Sequence, residues 1–280
     1  MPELPEVETI KLGLQKKIVG LTIKNIEVLS PKTFIGNAQT IRGKKVLNIW
    51  RKAKILGIDL GSLSLLIHLK MTGQLIYDDG KRFIGGHPTP DMRDEMPNKT
   101  TRVIFSFSDK SKLYFNDQRR FGWVRIVKEV GDLFKKLGPE PLEKDFTWQI
   151  LKNNLLKHKS QPIKVALMDQ SVVSGVGNIY ANEACFLAKL DPRTKIKDLK
   201  EEQFKRLHKG IIKSLQDGIK YGGSSRAHFV DSEGHKGYFL DYAFVYWRDS
   251  KPCKVCKTKI EKIQLGGRGT YFCPNCQKAL

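Results

Sequence analysis

Val7, Ile10, Leu14 and Ile18 recur three and four positions apart, so one face of the segment opening at Pro5 is apolar. The spacing predicts a helix that Pro5 starts and Gly20 stops. The pattern then changes to short runs rich in β-branched and aromatic residues. Strands are expected over Thr22–Leu29, Lys45–Trp50, Ile55–Leu60, Ser64–Leu69, Thr101–Phe107, Lys112–Phe115 and Gly122–Val127. Several alternate, as in Val103, Phe105 and Phe107, which favours two sheets packed over a shared core. Between them, Gly85-Gly86-His87-Pro88-Thr89-Pro90-Asp91-Met92 has no periodicity and reads as a long surface loop.

A second break falls at Leu137-Gly138-Pro139-Glu140-Pro141-Leu142, where two prolines make an extended connector. Helical spacing follows over 147–157, 162–169, 178–188 and 199–220. The expected organisation is a sheet domain at 1–132, a linker at 133–146, a helical domain at 147–248 and a cysteine-bearing appendage at 249–280.

Charge narrows the partner. Fifty Lys and Arg against 29 Asp and Glu leave +21 on 280 residues, spread along the whole length, so a face rather than a tail is positive. A polyanion such as nucleic acid fits this balance; a highly charged, solubility-driven surface is the plainer alternative. The longest apolar stretch, Leu63 to Leu69, is broken by Ser64 and His68, which excludes a membrane span. With no basic-then-apolar leader, the expected location is the cytosol.

Cys253-x-x-Cys256 and Cys273-x-x-Cys276 have the spacing of two knuckles that present four thiolates to one zinc ion. Four thiolates leave no open coordination position, so the zinc is expected to be structural. The fifth cysteine, Cys185, lies in an apolar helical stretch and reads as a buried thiol. Between the knuckles, Gly266-Gly267-Arg268-Gly269 suits either a plain hairpin or a close backbone approach to phosphate, with Arg268 forking onto it. Gly175-Val176-Gly177-Asn178 precedes a predicted helix and reads as an interhelical turn or as an anion site. Met71, at a strand end, and Phe121, beside Arg119 and Arg120, are candidates for core packing or for a wedge into stacked bases.

The remaining chemistry sits at the start. If Met1 is removed, Pro2 becomes a secondary amine next to Glu3 and Glu6. An α-amino group has a pKa near ~7.7–8.0, so part of it is unprotonated and nucleophilic at neutral pH. Its condensation with an aldehyde-level carbon gives an iminium ion, an electron sink that acidifies a neighbouring C–H. Taken alone, a proline here more often only opens a helix.

In this order, Pro2 to Glu6, Arg51 to Lys54, His68 to Gly73, Asp117 to Gly122, Leu137 to Leu142, Leu167 to Gln170, Gly175 to Ala181 and the cysteine pairs resemble the formamidopyrimidine-DNA glycosylase family along essentially the whole chain. The resemblance implies an α+β chain with an N-terminal β-sandwich and leading helix, a helix-two-turns-helix domain and a C-terminal zinc ribbon. It further implies removal of oxidised purines such as 8-oxoguanine from damaged double-stranded DNA, followed by strand cleavage at the abasic site, in a monomer associated with the bacterial nucleoid. Pro2 would be the nucleophile and Glu3 the acid–base group, with Glu6 and Lys54 in support. Met71, Arg119 and Phe121 would form the wedge, Lys164, Asn178 and Arg268 would hold phosphates, and Ser224, Ser225 and Arg226 would belong to the loop that caps the extruded base. One structural Zn2+ and no organic cofactor would be needed.

Two features depart from the family pattern. Arg226 stands one place before the expected basic residue, and the loop from Gly85 to Asn98 is longer than usual. The rival readings are an endonuclease VIII-like relative acting on oxidised pyrimidines and a DNA-binding protein without catalysis.

Overall fold

A computed structural model describes residues 1–87, 89, 91, 94–224 and 239–278. The chain divides into two compact units, Met1–Phe134 with Tyr221–Tyr238, and Lys135–Lys220 with Phe239–Leu280.

In the first unit, helix α1 (Leu4–Ile18) buries Val7, Ile10, Leu14 and Ile18, the positions the spacing selects. Among the described residues, ten strands follow: β1 (Ile23–Val28), β2 (Phe34–Ile35), β3 (Asn48–Lys52), β4 (Ile55–Asp59), β5 (Ser64–His68), β6 (Gly73–Asp78), β7 (Arg82–Gly86), β8 (Thr101–Phe107), β9 (Lys112–Asp117) and β10 (Trp123–Val127), and then the short helix α2 (Gly131–Phe134). They form two five-stranded sheets, ordered β1-β8-β9-β6-β7 and β2-β10-β5-β4-β3. One core takes Leu75, Val103, Phe105 and Phe115 from the first sheet, Leu56, Ile58, Leu65 and Ile67 from the second, and the apolar face of α1. The arrangement is the expected sandwich with its leading helix.

Three strands escape the pattern reading. β2 is only two residues long. β6 is buried at all but its last residue, so it shows no alternation. β7 ends in Gly85-Gly86, which alone looks like loop sequence. Both glycines instead answer crowding: a Cβ on Gly85 would lie 2.4 Å from Ile10 Cγ1, and one on Gly86, at φ +128°, would lie 2.5 Å from the Gly73 carbonyl oxygen. The long loop therefore begins after Gly86. Beyond it, Gln74 Nε2 donates to the His87 carbonyl at 2.5 Å and to Thr89 Oγ1 at 2.7 Å, and Met96 packs against Ile76, Ile104 and Tyr114 on the outer face of the first sheet.

The second unit holds α3 (Trp148–Leu156), α4 (Ile163–Leu167), α5 (Asn178–Leu187), α6 (Glu201–Lys220) and α7 (Phe239–Tyr242), then the hairpin of β11 (Glu261–Leu265) and β12 (Arg268–Phe272). Gln170 staples the two turns between α4 and α5, donating to the Met168 and Val176 carbonyls and accepting from Gly175 N. Buried Glu183 on α5 accepts from the backbone N–H groups of Phe244, Val245 and Tyr246 at 2.8–2.9 Å, tying the approach to the hairpin onto the helix. Cys185 is fully buried and burial pushes its thiol up to about 12, consistent with an inert packing role. Among the described residues, no helix is long and apolar enough to cross a membrane.

Candidate active site and nucleic-acid interface

The start of α1 is held by a capping box in which Glu3 N donates to Glu6 Oε2 at 2.8 Å and the Glu3 side chain accepts from the Glu6 backbone. The other Glu6 oxygen accepts from Ser224 N at 2.8 Å, so one carboxylate fixes both the helix start and the beginning of the 224–226 segment. Ser225 and Arg226 lie outside the described residues. Pro2 is buried, whereas Met1 ahead of it is 41% exposed.

Lys54 is buried and sits in the tight turn between β3 and β4, after Ala53 at φ 53°. Burial holds its ammonium below the ordinary lysine range, Glu3 and Glu6 pull it back up, and Lys70 lowers it further. These four side chains thus form one electrostatic group around the N-terminus. His68 belongs to it: burial, then Lys70 and Lys54, push its imidazole down to about 3, and its Nδ1 accepts from Lys70 N at 3.0 Å. That bond selects the neutral ring with its proton on Nε2. His87 is shifted down by burial and then by the chain's own terminal ammonium.

Two turns carry the wedge candidates. Met71 is half-buried in the turn between β5 and β6, so it is neither core nor fully free. Arg119 and Phe121 are exposed in the turn between β9 and β10, with the guanidinium carbon 4.7 Å from the ring centroid and Phe121 53% exposed. A ring this open rules out core packing for Phe121. Arg120, at φ 57°, takes the left-handed position the turn requires.

In the second unit, buried Lys164 donates from Nζ to Asn178 Oδ1 at 2.6 Å, and Asn178 Nδ2 donates to the Gly269 carbonyl at 3.2 Å. Asn182 Oδ1 accepts from Tyr271 N at 2.7 Å. Lys164, the first residue of α5 and the ribbon hairpin are therefore brought into one network, and Arg268 stands exposed at the hairpin tip beside Gly267 at φ +70°.

The four Sγ atoms of Cys253, Cys256, Cys273 and Cys276 lie within 4.8 Å of one another. Tetrahedral thiolates at a Zn–S distance of about 2.3 Å stand about 3.8 Å apart, so the donor set fits zinc in number, softness and spacing. Val255 N and Cys276 N donate to Cys253 Sγ and Cys273 Sγ at 3.4 and 3.5 Å, as backbone N–H groups do toward metal thiolates. Gln277 links Cys273 N to the Leu190 carbonyl and so binds the ribbon to the helices.

Pattern reading missed the roles of Glu183 and Asp117, buried polar side chains with partners distant in sequence, and of Gln170, half-buried by bonds within six residues of it. A lone acidic residue in the apolar run Tyr180–Leu187 was the one available signal for Glu183.

The comparisons agree with this architecture. Residues 1–124 match the formamidopyrimidine-DNA glycosylase N-terminal domain, 137–230 the H2TH domain of the same enzymes, and 250–279 the zinc finger found in FPG and IleRS. The formamidopyrimidine-DNA glycosylase of Pelotomaculum thermopropionicum is 39% identical over 288 residues, covering 99% of each chain, and that of Bacillus subtilis 38% over 287 residues, again 99% of each. A solved complex of a Lactococcus lactis FPG mutant with Fapy-dG-containing DNA superposes with a TM-score of 0.85 at 33% identity, over 99% of this chain and 100% of the other. A complex of MutM with carbocyclic 8-oxo-G-containing DNA gives 0.84 at 34%, with the same coverage. The fold and ribbon are those of a zinc-bearing DNA glycosylase of base-excision repair. The chain belongs to the formamidopyrimidine-DNA glycosylase family.

Proposed function

We propose that this glycosylase excises oxidised purines, 8-oxoguanine and formamidopyrimidines, from double-stranded DNA and then cleaves the strand by β,δ-elimination through a Schiff base at Pro2. The observation that carries the reading is the grouping of Pro2 with Glu3, Glu6 and buried Lys54 at the start of α1. Once Met1 is removed, the Pro2 amine attacks C1′ and the glycosidic bond breaks. Glu3 moves the proton that lets the C1′–O4′ bond open, leaving an iminium between Pro2 and C1′. Loss of a C2′ proton expels the 3′ phosphate, and a second elimination expels the 5′ phosphate. Water then releases the sugar remnant.

Glu6 holds the helix start in place. Lys54 binds the sugar or its phosphate, and its lowered pKa eases proton sharing with the substrate. Met71 and Phe121 fill the gap left by the extruded nucleotide, and Arg119 contacts the base opposite. Lys164, Asn178 and Arg268 hold backbone phosphates, and Ser224, Ser225 and Arg226 cap the base. That relatives were solved in complex with Fapy-dG- and 8-oxo-G-containing DNA supports damaged DNA as the partner.

Duplexes carrying 8-oxoguanine or thymine glycol, each opposite cytosine or adenine, test the substrate class. Fastest excision is expected from 8-oxoguanine opposite cytosine; faster excision of thymine glycol would transfer the chain to pyrimidine repair. Binding is also expected to weaken steeply with salt. Three or more neutralised phosphates at roughly −0.9 each give a log–log slope of about −3 or steeper, measured by fluorescence anisotropy from 50 to 300 mM salt. A slope near zero would exclude the phosphate contacts.

A further inference from the structure

We infer that Asp117 and Thr72 form a clasp that locks the two wedge-bearing turns together, making both positioning residues for extrusion of the damaged nucleotide; the inference rests on the wedge reading above. Asp117 is fully buried at the end of β9. Its Oδ2 accepts from Gly122 N at 2.6 Å, closing the β9–β10 turn on its own first residue. Its Oδ1 accepts from Arg119 N at 3.2 Å and from the Thr72 hydroxyl, and that hydroxyl in turn accepts from Arg119 N at 3.0 Å.

The proton count closes. Thr72 gives its one hydroxyl proton to the carboxylate and offers a lone pair to the Arg119 N–H, which is shared between the two oxygens. Burying a carboxylate is costly unless it accepts several hydrogen bonds, and here all of them go to the wedge turns. Met71 lies one residue before Thr72, Arg119 supplies the shared N–H, and Phe121 lies one residue before Gly122. Each wedge residue is therefore within one peptide of an atom in the clasp.

The surroundings leave the clasp little play. Asp117 N donates to the Thr100 carbonyl and its own carbonyl accepts from Arg102 Nε, both at 2.9 Å. A Cβ on Gly122 would lie 2.7 Å from Phe115 Cζ and 3.0 Å from Asp117 Oδ2, so the turn closes this tightly only with glycine. A Cβ on Gly73 would meet the Leu69 carbonyl oxygen at 2.3 Å, which holds the Met71 turn to the same standard. Unstacking a duplex needs side chains that are already placed, because ordering them during insertion would subtract from the contacts they make.

The test compares Thr72→Val, Thr72→Ser, Asp117→Asn and Phe121→Ala with the parent. Each is assayed for single-turnover excision of 8-oxoguanine from duplex DNA and for borohydride trapping on a single-stranded abasic oligonucleotide, where nothing has to be extruded. The readout is the ratio of the two rates, with thermal melting recorded alongside. Thr72→Val and Asp117→Asn are expected to lower the ratio by about tenfold or more, the equivalent of one charge-assisted hydrogen bond, while Thr72→Ser restores it. A parental ratio in Thr72→Val with a lowered one in Phe121→Ala would overturn the clasp and leave the wedge standing. Parental ratios in both would overturn the wedge as well.

Discussion

Protein that retains Met1 is expected to form the reducible crosslink with abasic DNA far more slowly, because Pro2 N is then an amide that cannot condense with the sugar aldehyde and the remaining α-amine, on exposed Met1, lies one residue away from its place. Processed protein carrying Pro2→Gly should form it on the order of a hundredfold more slowly. Glycine still supplies an amine of ordinary basicity, so the reaction survives. What it lacks is the ring that fixes φ ahead of Glu3 and makes the iminium cationic without a proton to lose. The capping box explains why the surrounding site should be undisturbed: Glu3 N donates to Glu6 Oε2 whatever residue precedes it. Borohydride trapping, with the three proteins resolved by mass, measures the effect. Equal trapping by the Met1-retaining protein would place the nucleophile elsewhere.

Loss of zinc has the second largest expected effect. Structural zinc contributes an apparent ~10–16 kcal/mol in small metal-folded modules, far more than the modest apolar cluster of Ile260, Tyr271 and their neighbours can replace. Cys273→Ser, or exhaustive chelation, should therefore unfold the ribbon. The damage reaches further, since Asn178 Nδ2 leans on the Gly269 carbonyl and Asn182 on Tyr271 N. Once those bonds go, Lys164 and Asn178 lose their fixed geometry along with the Arg268 hairpin. Affinity for a damaged duplex should fall about a hundredfold or more, the sum of several phosphate contacts, while the first unit keeps its own melting transition. Anisotropy titration and differential scanning calorimetry on metal-depleted protein check both parts; unchanged affinity would remove the ribbon from the interface.

The elements most legible in the sequence owe their form to local repetition. The α1 stripe, the alternating β8 strand and the paired Cys-x-x-Cys motifs each state a periodicity or a ligand spacing that neighbours in sequence suffice to read. β6 and β7 could not be read that way. Gln74 is polar yet 1% exposed, because its amide serves the loop at His87 and Thr89, and the glycines ending β7 answer the approach of Ile10 and of the β6 backbone. These causes lie in tertiary contacts.

The same division runs through the candidate site. Pro2, Glu3 and the four cysteines announce their chemistry by type and position. Lys54 and its place between two strands were visible, but its lowered pKa depends on burial beside Glu3 and Glu6. Asp117 looks like an ordinary turn residue until Thr72, 45 positions away, is seen to donate to it. His87 sat in a segment with no pattern, and only the folded chain brings it to the terminal ammonium.

Pro2, Lys54 and Lys70 are amines gathered at the site, and the central claim assigns the covalent bond to the first. Processed parent protein should be mixed with abasic duplex and borohydride, its intact mass recorded, and the adduct mapped by proteolysis and tandem mass spectrometry. The account predicts one added deoxyribose-bearing fragment on the peptide that begins at Pro2. An adduct on the peptide containing Lys54, or no adduct at all, would contradict it.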